Sequence, residues 1–354
     1  MTNAQTDTPD FDTLRERYDA IVVTTLQNVR YLCGFTGSNA VLLIRGKAMT
    51  LFTDPRYTIQ AKTETQAKVK IVRGDLLAAL EEPLARCSMI GFENRRISYA
   101  AVANLQKRLK AGAALAGIED TIERKRMVKS AAEITLIRES VNINSQAFER
   151  GLKHFRPDMT ESDLAAELDY QQRLAGAEKP AFDTIVASAE RSALPHAHPT
   201  GTKLPRNGLL LIDMGSFRRG YASDMTRTVH IGRASAKVRT LYKAVLEAQL
   251  AAIDAVKPDV TTGRVDRAAR AVLQKYGFEK AFVHSTGHGL GLEIHEPPRI
   301  GKRDKTRLCA GMAITIEPGV YLEGMGGIRI EDTVLVTASG CEILTPTPKE
   351  FTVL

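Results

Sequence analysis

The feature that most constrains this chain is a set of acids placed in apolar, strand-like segments. Asp213 closes LLLID, Asp224 opens DMTRTV, Glu317 closes AITIE and Glu331 follows IRI. Burying an ionised carboxylate is strongly unfavourable unless a cation compensates it. Side chains alternate faces along an extended chain, so each acid can be assigned a face. Leu209, Leu211 and Asp213 share one side of a strand, and Leu210, Ile212 and Met214 the other. Asp224, Thr226 and Thr228 fall together in the next alternation, and the intervening SFRRGYAS supplies a hairpin turn. Two aspartates eleven residues apart can thus meet across paired strands. Met312, Ile314 and Ile316 face away from Ala313, Thr315 and Glu317, and Ile328 and Ile330 face away from Arg329 and Glu331. A single acid in such a setting reads as a strand-end or turn carboxylate. Four of them, with His288 of HSTGHGLG as a fifth candidate ligand, point to a two-metal hydrolytic site.

His284 and His288 are four residues apart, the spacing that puts two zinc ligands on one helical face. The residues between and after them are too rich in glycine for a stable helix, so a zincin helix is excluded. The same loop lacks the lysine of a Walker phosphate loop.

These motifs, in this order, resemble the metallopeptidase family that contains aminopeptidase P, prolidase and methionine aminopeptidase, whose catalytic domain has the pita-bread fold. The resemblance implies that Asp213 is the terminal ligand of one metal ion, that Asp224 and Glu331 bridge, and that His288 and Glu317 bind the other. FDTIVASAERSALPHAHPT, GLEIHEPPR and GGIRIEDT resemble the proline-specific branch. In that branch His196, His284, His295 and Arg329 fall on accessory active-site positions. Two departures are Met214, where an aromatic is common, and Ala189, where glycine is usual; neither removes a ligand.

The implied chemistry is metal-dependent hydrolysis of the bond between an N-terminal residue and proline, with Glu317 as proton acceptor and donor. His284 and His295 would donate hydrogen bonds to the substrate carbonyl and its tetrahedral oxygen, and His196 would orient substrate or shuttle protons. Arg329 would hold ligand carboxylates from behind. Arg299 resembles an arginine that anchors the proline carboxylate in some prolidases; its bland reading is a solvent-facing loop cation. Xaa-Pro dipeptidase is the favoured expectation, and aminopeptidase P acting on longer peptides the alternative. A metal-free creatinase-like hydrolase and a non-catalytic binding module are remoter alternatives, disfavoured by the complete ligand set. Oxygen-rich coordination favours two Mn(II) ions per subunit, with Co(II), Zn(II) or Fe(II) permitted by the imidazole.

The chain divides near residue 125. Residues 1–125 are expected to form an α/β domain, with IVVTTLQNVRYLCGF, AVLLIRGKAMTLFTD and KVKIVRG read as strands between helices. NVRYLCGFTGSNA and FTDPRYTIQA resemble the creatinase-type N-terminal domain, which mediates dimer contacts and helps wall the active site; Arg56 and Tyr57 either serve that role or are surface residues. A homodimer is therefore expected. Residues 126–354 are expected to be the α+β pita-bread domain, helices outside a curved antiparallel sheet. Ser130 and Glu133 form a capping box ahead of helical spacing from Ile134 to Phe155; Thr160 opens a second helix. Further helices are expected at about 236–256 and 262–276, the latter ended by Gly277.

With 354 residues and 44% apolar composition the chain can build two cores. A net charge of +8 is scattered, and its densest cluster, IERKRMVKS, lacks an aromatic-basic module, so no nucleic-acid partner is indicated. No apolar run approaches the roughly 20 residues that span a bilayer. The start, MTNAQTDTPDFDT, lacks the pattern of a secretory signal, and Cys33, Cys87, Cys309 and Cys341 are widely spaced with no CxxC pair. A cytoplasmic protein without membrane partners is expected.

Overall fold

A computed structural model describes residues 11–354. Most of the stretch read for a secretory signal lies outside the described residues. The chain forms two compact units, one ending at Arg126 and a second, Met127–Leu354. No helix among the described residues is long and apolar enough to cross a membrane.

The first unit is built on a six-stranded mixed sheet: β1 (Ala20–Val23), β2 (Ala40–Arg45), β3 (Ala48–Thr53), β4 (Lys68–Ile71), β5 (Met89–Phe92) and β6 (Ala114–Gly117), in spatial order β4-β3-β2-β1-β5-β6. Its central strands β1 and β2 read as nearly unbroken apolar runs because both faces are buried. Leu42 and Ile44 join Ile21 and Leu51 in one core, while Val41 and Leu43 join Val22, Phe52 and Ile90 in the other. One expectation fails here. The segment from Ile21 to Phe35 is extended only up to Val23; Leu26–Cys33 is helical and ends at Gly34, whose φ of 84° is left-handed. Leu26, Val29, Leu32 and Cys33 pack on one core at helical spacing, and that tertiary contact outweighs the β-branched start.

In the second unit the strands are β7 (Lys179–Pro180), β8 (Ile185–Ser188), β9 (Gly208–Met214), β10 (Ser216–Arg218), β11 (Tyr221–Ala222), β12 (Met225–Ile231), β13 (Gly287–Gly289), β14 (Glu296–Ile300), β15 (Ala313–Ile316), β16 (Gly319–Leu322), β17 (Gly326–Arg329), β18 (Asp332–Val336) and β19 (Cys341–Ile343). The principal sheets run β12-β9-β8 and β14-β13-β15-β18-β19, all antiparallel. The expected hairpin turn in SFRRGYAS is two residues long, Arg219 and Gly220, with φ of 45° and 73°. Positive φ at both central positions matches the twist of the flanking strands.

Two helix pairs cover these sheets. Ala131–Lys153 starts with the Ser130–Glu133 capping box, and Glu161–Leu174 with a Thr160–Asp163 box. This pair supplies Ala147, Phe148, Leu164 and Leu168 to a core shared with Leu210, Ile212, Met214, Met225 and Val229. Ala236–Asp254 and Thr262–Lys275 form the second pair; Gly277, at φ 79°, follows its last turn. Their residues Val245, Ala248, Val265 and Ala269 pack on Ile314, Ile316, Ile328, Ile330 and Val334. The apolar members of each alternation thus face helices. Asp213, Thr226, Thr315, Arg329 and Glu331 are left on the opposite face.

Candidate metal centre

Asp224 does not sit directly across from Asp213. The residue paired with Asp213 is Thr226, so Asp224, two positions earlier on the same face, is the diagonal neighbour. Glu331 arrives from the other sheet. Residues 326–331 do not form one strand: the chain leaves β17 at Arg329 and enters β18 at Asp332, two strands with different partners. At the junction the Glu331 amide donates to the Thr226 carbonyl at 3.1 Å, and Thr333 Oγ1 donates to the Asp224 carbonyl at 2.9 Å. These bonds stitch the two acid-bearing segments together.

His288 lies on β13, a strand and not the open loop that its glycines suggest. A side chain at Gly287 would collide with the Thr315 carbonyl and one at Gly289 with that of Pro297, so glycine lets this strand fit between β14 and β15. His288 Nδ1 stands 3.0 Å from the Gly289 carbonyl, to which it can only donate. Nε2 is left facing the acids, 3.5 Å from Asp224 Oδ2 and 3.4 Å from Glu317 Oε1. Asp224, His288 and Glu331 each offer a donor atom within 4.8 Å of the others. Asp213 is outside that tight trio: Arg329 Nη2 donates to its Oδ2 at 2.6 Å.

The electrostatics of the cluster call for cations. Four carboxylates converge, and the Arg329 guanidinium pairs with one of them, Asp213. Asp213 Oδ1 and Glu331 Oε1 are buried without a hydrogen-bond partner, although their sister oxygens accept from Arg329 and from Thr226 Oγ1 at 2.7 Å. Burial, then repulsion by Asp213 and Glu317, pushes Asp224 well above the ordinary carboxylate range. Burial and then Asp224 do the same to Glu331, and burial raises Glu317 against the pull of His288 and Arg329. Orphaned oxygens, acids driven toward protonation and an imidazole nitrogen aimed between them form a donor set that divalent ions fit.

The accessory residues differ in how free they are. The exposed His295 ring lies 4.4 Å from that of His288, centroid to centroid. His196 is exposed, and its charge is close enough to depress both His284 and His295. His284 is committed at both nitrogens. Its Nδ1 donates to the Ser285 carbonyl at 2.8 Å and its Nε2 lies 2.8 Å from the Tyr321 hydroxyl. Burial, then the Arg329 charge, pushes its pKa to about 4, so the ring is neutral and Tyr321 is the donor. Arg329 Nη1 in turn donates to Tyr321 at 2.8 Å. The free donor to a substrate carbonyl expected of His284 is therefore absent in this geometry, because both nitrogens are already used. Tyr321 itself was not singled out from the sequence; its one signal is that it stands on the same short hairpin as Arg329, in β16.

Arg329 also donates from Nε to Thr226 Oγ1 at 3.0 Å, so it supports Asp213 directly and Glu331 through Thr226. Arg299 is the direct cross-strand partner of His288, which puts both side chains on one face. Its side chain is exposed, with no ion pair among the described residues. Ala189 adopts φ 49°, the left-handed region that glycine enters without steric cost, at the position where the resemblance expects glycine. Arg56, 70% exposed, is held by two bonds to Asp54, at 2.9 and 2.8 Å.

Residues 135–338 match Metallopeptidase family M24, and residues 14–128 match the Creatinase/Prolidase N-terminal domain. The chain is 38% identical over 334 residues to a Xaa-Pro dipeptidase of Pyrococcus furiosus, covering 94% of this chain and 95% of the relative. A solved Xaa-Pro dipeptidase from Bacillus anthracis superposes with a TM-score of 0.92 at 35% identity, covering 96% of each chain. A solved X-Pro aminopeptidase from Thermotoga maritima superposes at 0.90 and 38% identity, covering 96% of this chain and all of the other. The buried carboxylate cluster, the architecture and these likenesses agree: the chain belongs to metallopeptidase family M24, with a pita-bread catalytic unit and a creatinase/prolidase N-terminal domain.

Proposed function

We propose that this protein is a metal-dependent Xaa-Pro dipeptidase. The observation that carries the reading is the cluster of four carboxylates, three buried and Glu317 partly so, with two orphaned oxygens beside the His288 imidazole, in a chain that resembles Xaa-Pro dipeptidases over nearly its whole length. Asp213, Asp224, His288, Glu317 and Glu331 would hold two divalent ions; an oxygen-rich set with one imidazole favours Mn(II), with Co(II), Zn(II) and Fe(II) as substitutes. Such ions, when bound, supply an activated water and polarise the scissile carbonyl.

The chain's own residues do the rest. Glu317, whose Oε1 accepts from Thr315 Oγ1 at 3.3 Å, takes the proton of the attacking water and returns it to the proline nitrogen as the bond breaks. The exposed rings of His295 and His196 donate to the substrate carbonyl and orient the peptide. His284 acts from behind, accepting from Tyr321 and keeping that hydroxyl and Arg329 in register. Arg299, exposed beside His288, pairs with the proline carboxylate. A homodimer, which rests on the family resemblance, and a cytoplasmic location complete the reading. The division into 1–125, a creatinase-type domain, and 126–354, the catalytic domain, belongs to the same reading.

The second reading, aminopeptidase P, is favoured by the equal likeness to the Thermotoga protein. A peptide panel with added Mn(II) separates them: Xaa-Pro, Xaa-Pro-Yaa, Xaa-Ala and Met-initiated substrates. Fastest turnover is expected on Xaa-Pro. Faster cleavage of Xaa-Pro-Yaa transfers the assignment to aminopeptidase P, and no cleavage of either proline substrate refutes both.

A further inference from the structure

Between the end of β8 at Ser188 and the start of β9 at Gly208, the chain carries His196 with little regular structure beyond one short turn, Ala189–Ala193. Its shape is set by a side chain outside it. Glu161, the first residue of its helix, is fully buried. Oε1 accepts from the Ser188 amide at 2.8 Å and lies 3.0 Å from the Ser188 hydroxyl. Oε2 accepts from the Thr200 amide at 3.2 Å and lies 2.9 Å from its hydroxyl. Arg191 Nε approaches the two oxygens at 3.2 and 3.0 Å, while Arg191 Nη2 donates to the His198 carbonyl at 2.7 Å. One carboxylate therefore ties both ends and the middle of the 188–200 segment.

The other side of this segment is fastened at the metal centre. The Pro195 carbonyl accepts from Arg329 Nη1 at 3.1 Å, and the Ser192 hydroxyl accepts from the Gly327 amide at 2.9 Å. Every polar neighbour of Glu161 described above is a donor, so a glutamine there would turn an NH2 group toward other N–H groups. Charge and acceptor capacity are both needed.

We infer that Glu161 is a positioning residue for catalysis: its carboxylate fixes the 188–200 backbone and thereby sets where the His196 ring and the Pro195 carbonyl stand beside the metal-binding cluster. The inference rests on the peptidase reading above. Glu161 touches no reacting atom and acts only through His196 and its segment.

The test is a double-mutant cycle on the full-length chain with Mn(II): wild type, E161Q, H196A and E161Q/H196A, assayed for kcat and KM on an Xaa-Pro dipeptide, with metal content measured for each. E161Q is expected to lower kcat/KM about tenfold or more at unchanged metal content, and to have little further effect once His196 is absent. Equal losses from E161Q in both backgrounds, or wild-type kcat/KM in E161Q, overturn the inference. If E161Q does not fold, R191M, which removes only the partly exposed cation, is carried through the same cycle and read the same way. If the wild type cleaves no Xaa-Pro substrate, the functional reading fails separately. Hydrogen exchange then decides the positioning: the Ser188 and Thr200 amides should lose protection in the variant, and unchanged protection overturns it.

Discussion

Arg329 donates to Asp213 at 2.6 Å across 116 residues of sequence, with the two side chains 3% and 13% exposed. Burial by itself would lower the guanidinium's pKa, yet Tyr321, Asp213, Glu317 and Glu331 together raise it well above the ordinary value. Removing one member of a buried pair leaves the other uncompensated, at a cost of about 3 to 5 kcal/mol. Arg329→Met should therefore lower the unfolding free energy of the metal-free protein by about 3 kcal/mol and reduce metal content. Arg329→Lys should rescue little, because one ammonium cannot reach Asp213, Thr226, Tyr321 and the Pro195 carbonyl together. Urea titration and metal analysis check both; wild-type values in the methionine variant contradict the arrangement.

Substituting the proposed ligands should separate two histidines that lie four residues apart. Asp224→Asn and Glu331→Gln are expected to abolish Mn(II) retention and nearly all peptidase activity. His288→Ala should lose more metal than His284→Ala, since only His288 turns a ring nitrogen, Nε2, toward the carboxylates, whereas His284 is occupied by Ser285 and Tyr321. Metal stoichiometry at matched folding measures the order, and a reversal would mean that the two roles are exchanged.

The acids should give the metal-free fold an unusual pH dependence. Glu331, Asp224 and Glu317 titrate higher in the fold than in the unfolded chain, where carboxylates sit at about 4. Their contribution is then fully present below the unfolded pKa and is lost as pH rises through the raised folded values. Glu331→Gln cannot ionise, so without metal it should become more stable than wild type as pH rises from about 5 to about 8, the gap widening with pH. The Tm increment produced by Mn(II) in the wild type should grow in the same direction, because metal displaces those protons. Thermal melts of both proteins with a chelator and with Mn(II) provide the measurement; a gap independent of pH counts against the raised values.

Arg299 decides between the two proline-specific readings. If its guanidinium holds a dipeptide carboxylate, Arg299→Ala loses about 1.5 to 3 kcal/mol of charge-assisted binding. That is roughly a 10- to 150-fold drop in kcat/KM for Xaa-Pro. Xaa-Pro-Yaa puts its carboxylate one residue farther away and should fall less. Equal losses for both lengths, or none for the dipeptide, exclude the anchor.

The face on which each acid lies was legible in the sequence, because strand alternation is a local property with period two. Asp213 with Leu209 and Leu211, and Glu317 with Ala313 and Thr315, need only their own neighbours. The capping box at Ser130 and the helix start at Thr160 were legible for the same reason, since a cap and its partners lie within one turn. Helix and strand competed in the segment from Ile21 to Phe35, where β-branched residues begin a run whose second half packs at helical spacing; a core contact, invisible along the chain, made the choice.

What the sequence by itself determined was the inventory of candidate ligands and the strand alternation that carries the four acids. Tertiary structure alone decided the partners. That Arg329 reaches Asp213, that Thr226 supports Glu331, that Tyr321 occupies His284 and that Glu161 ties Ser188 to Thr200 all depend on elements brought together from distant parts of the chain. Alternation says which way a side chain points. Only packing of one sheet beside the next says what it meets, because no local periodicity encodes the distance between two strands a hundred residues apart.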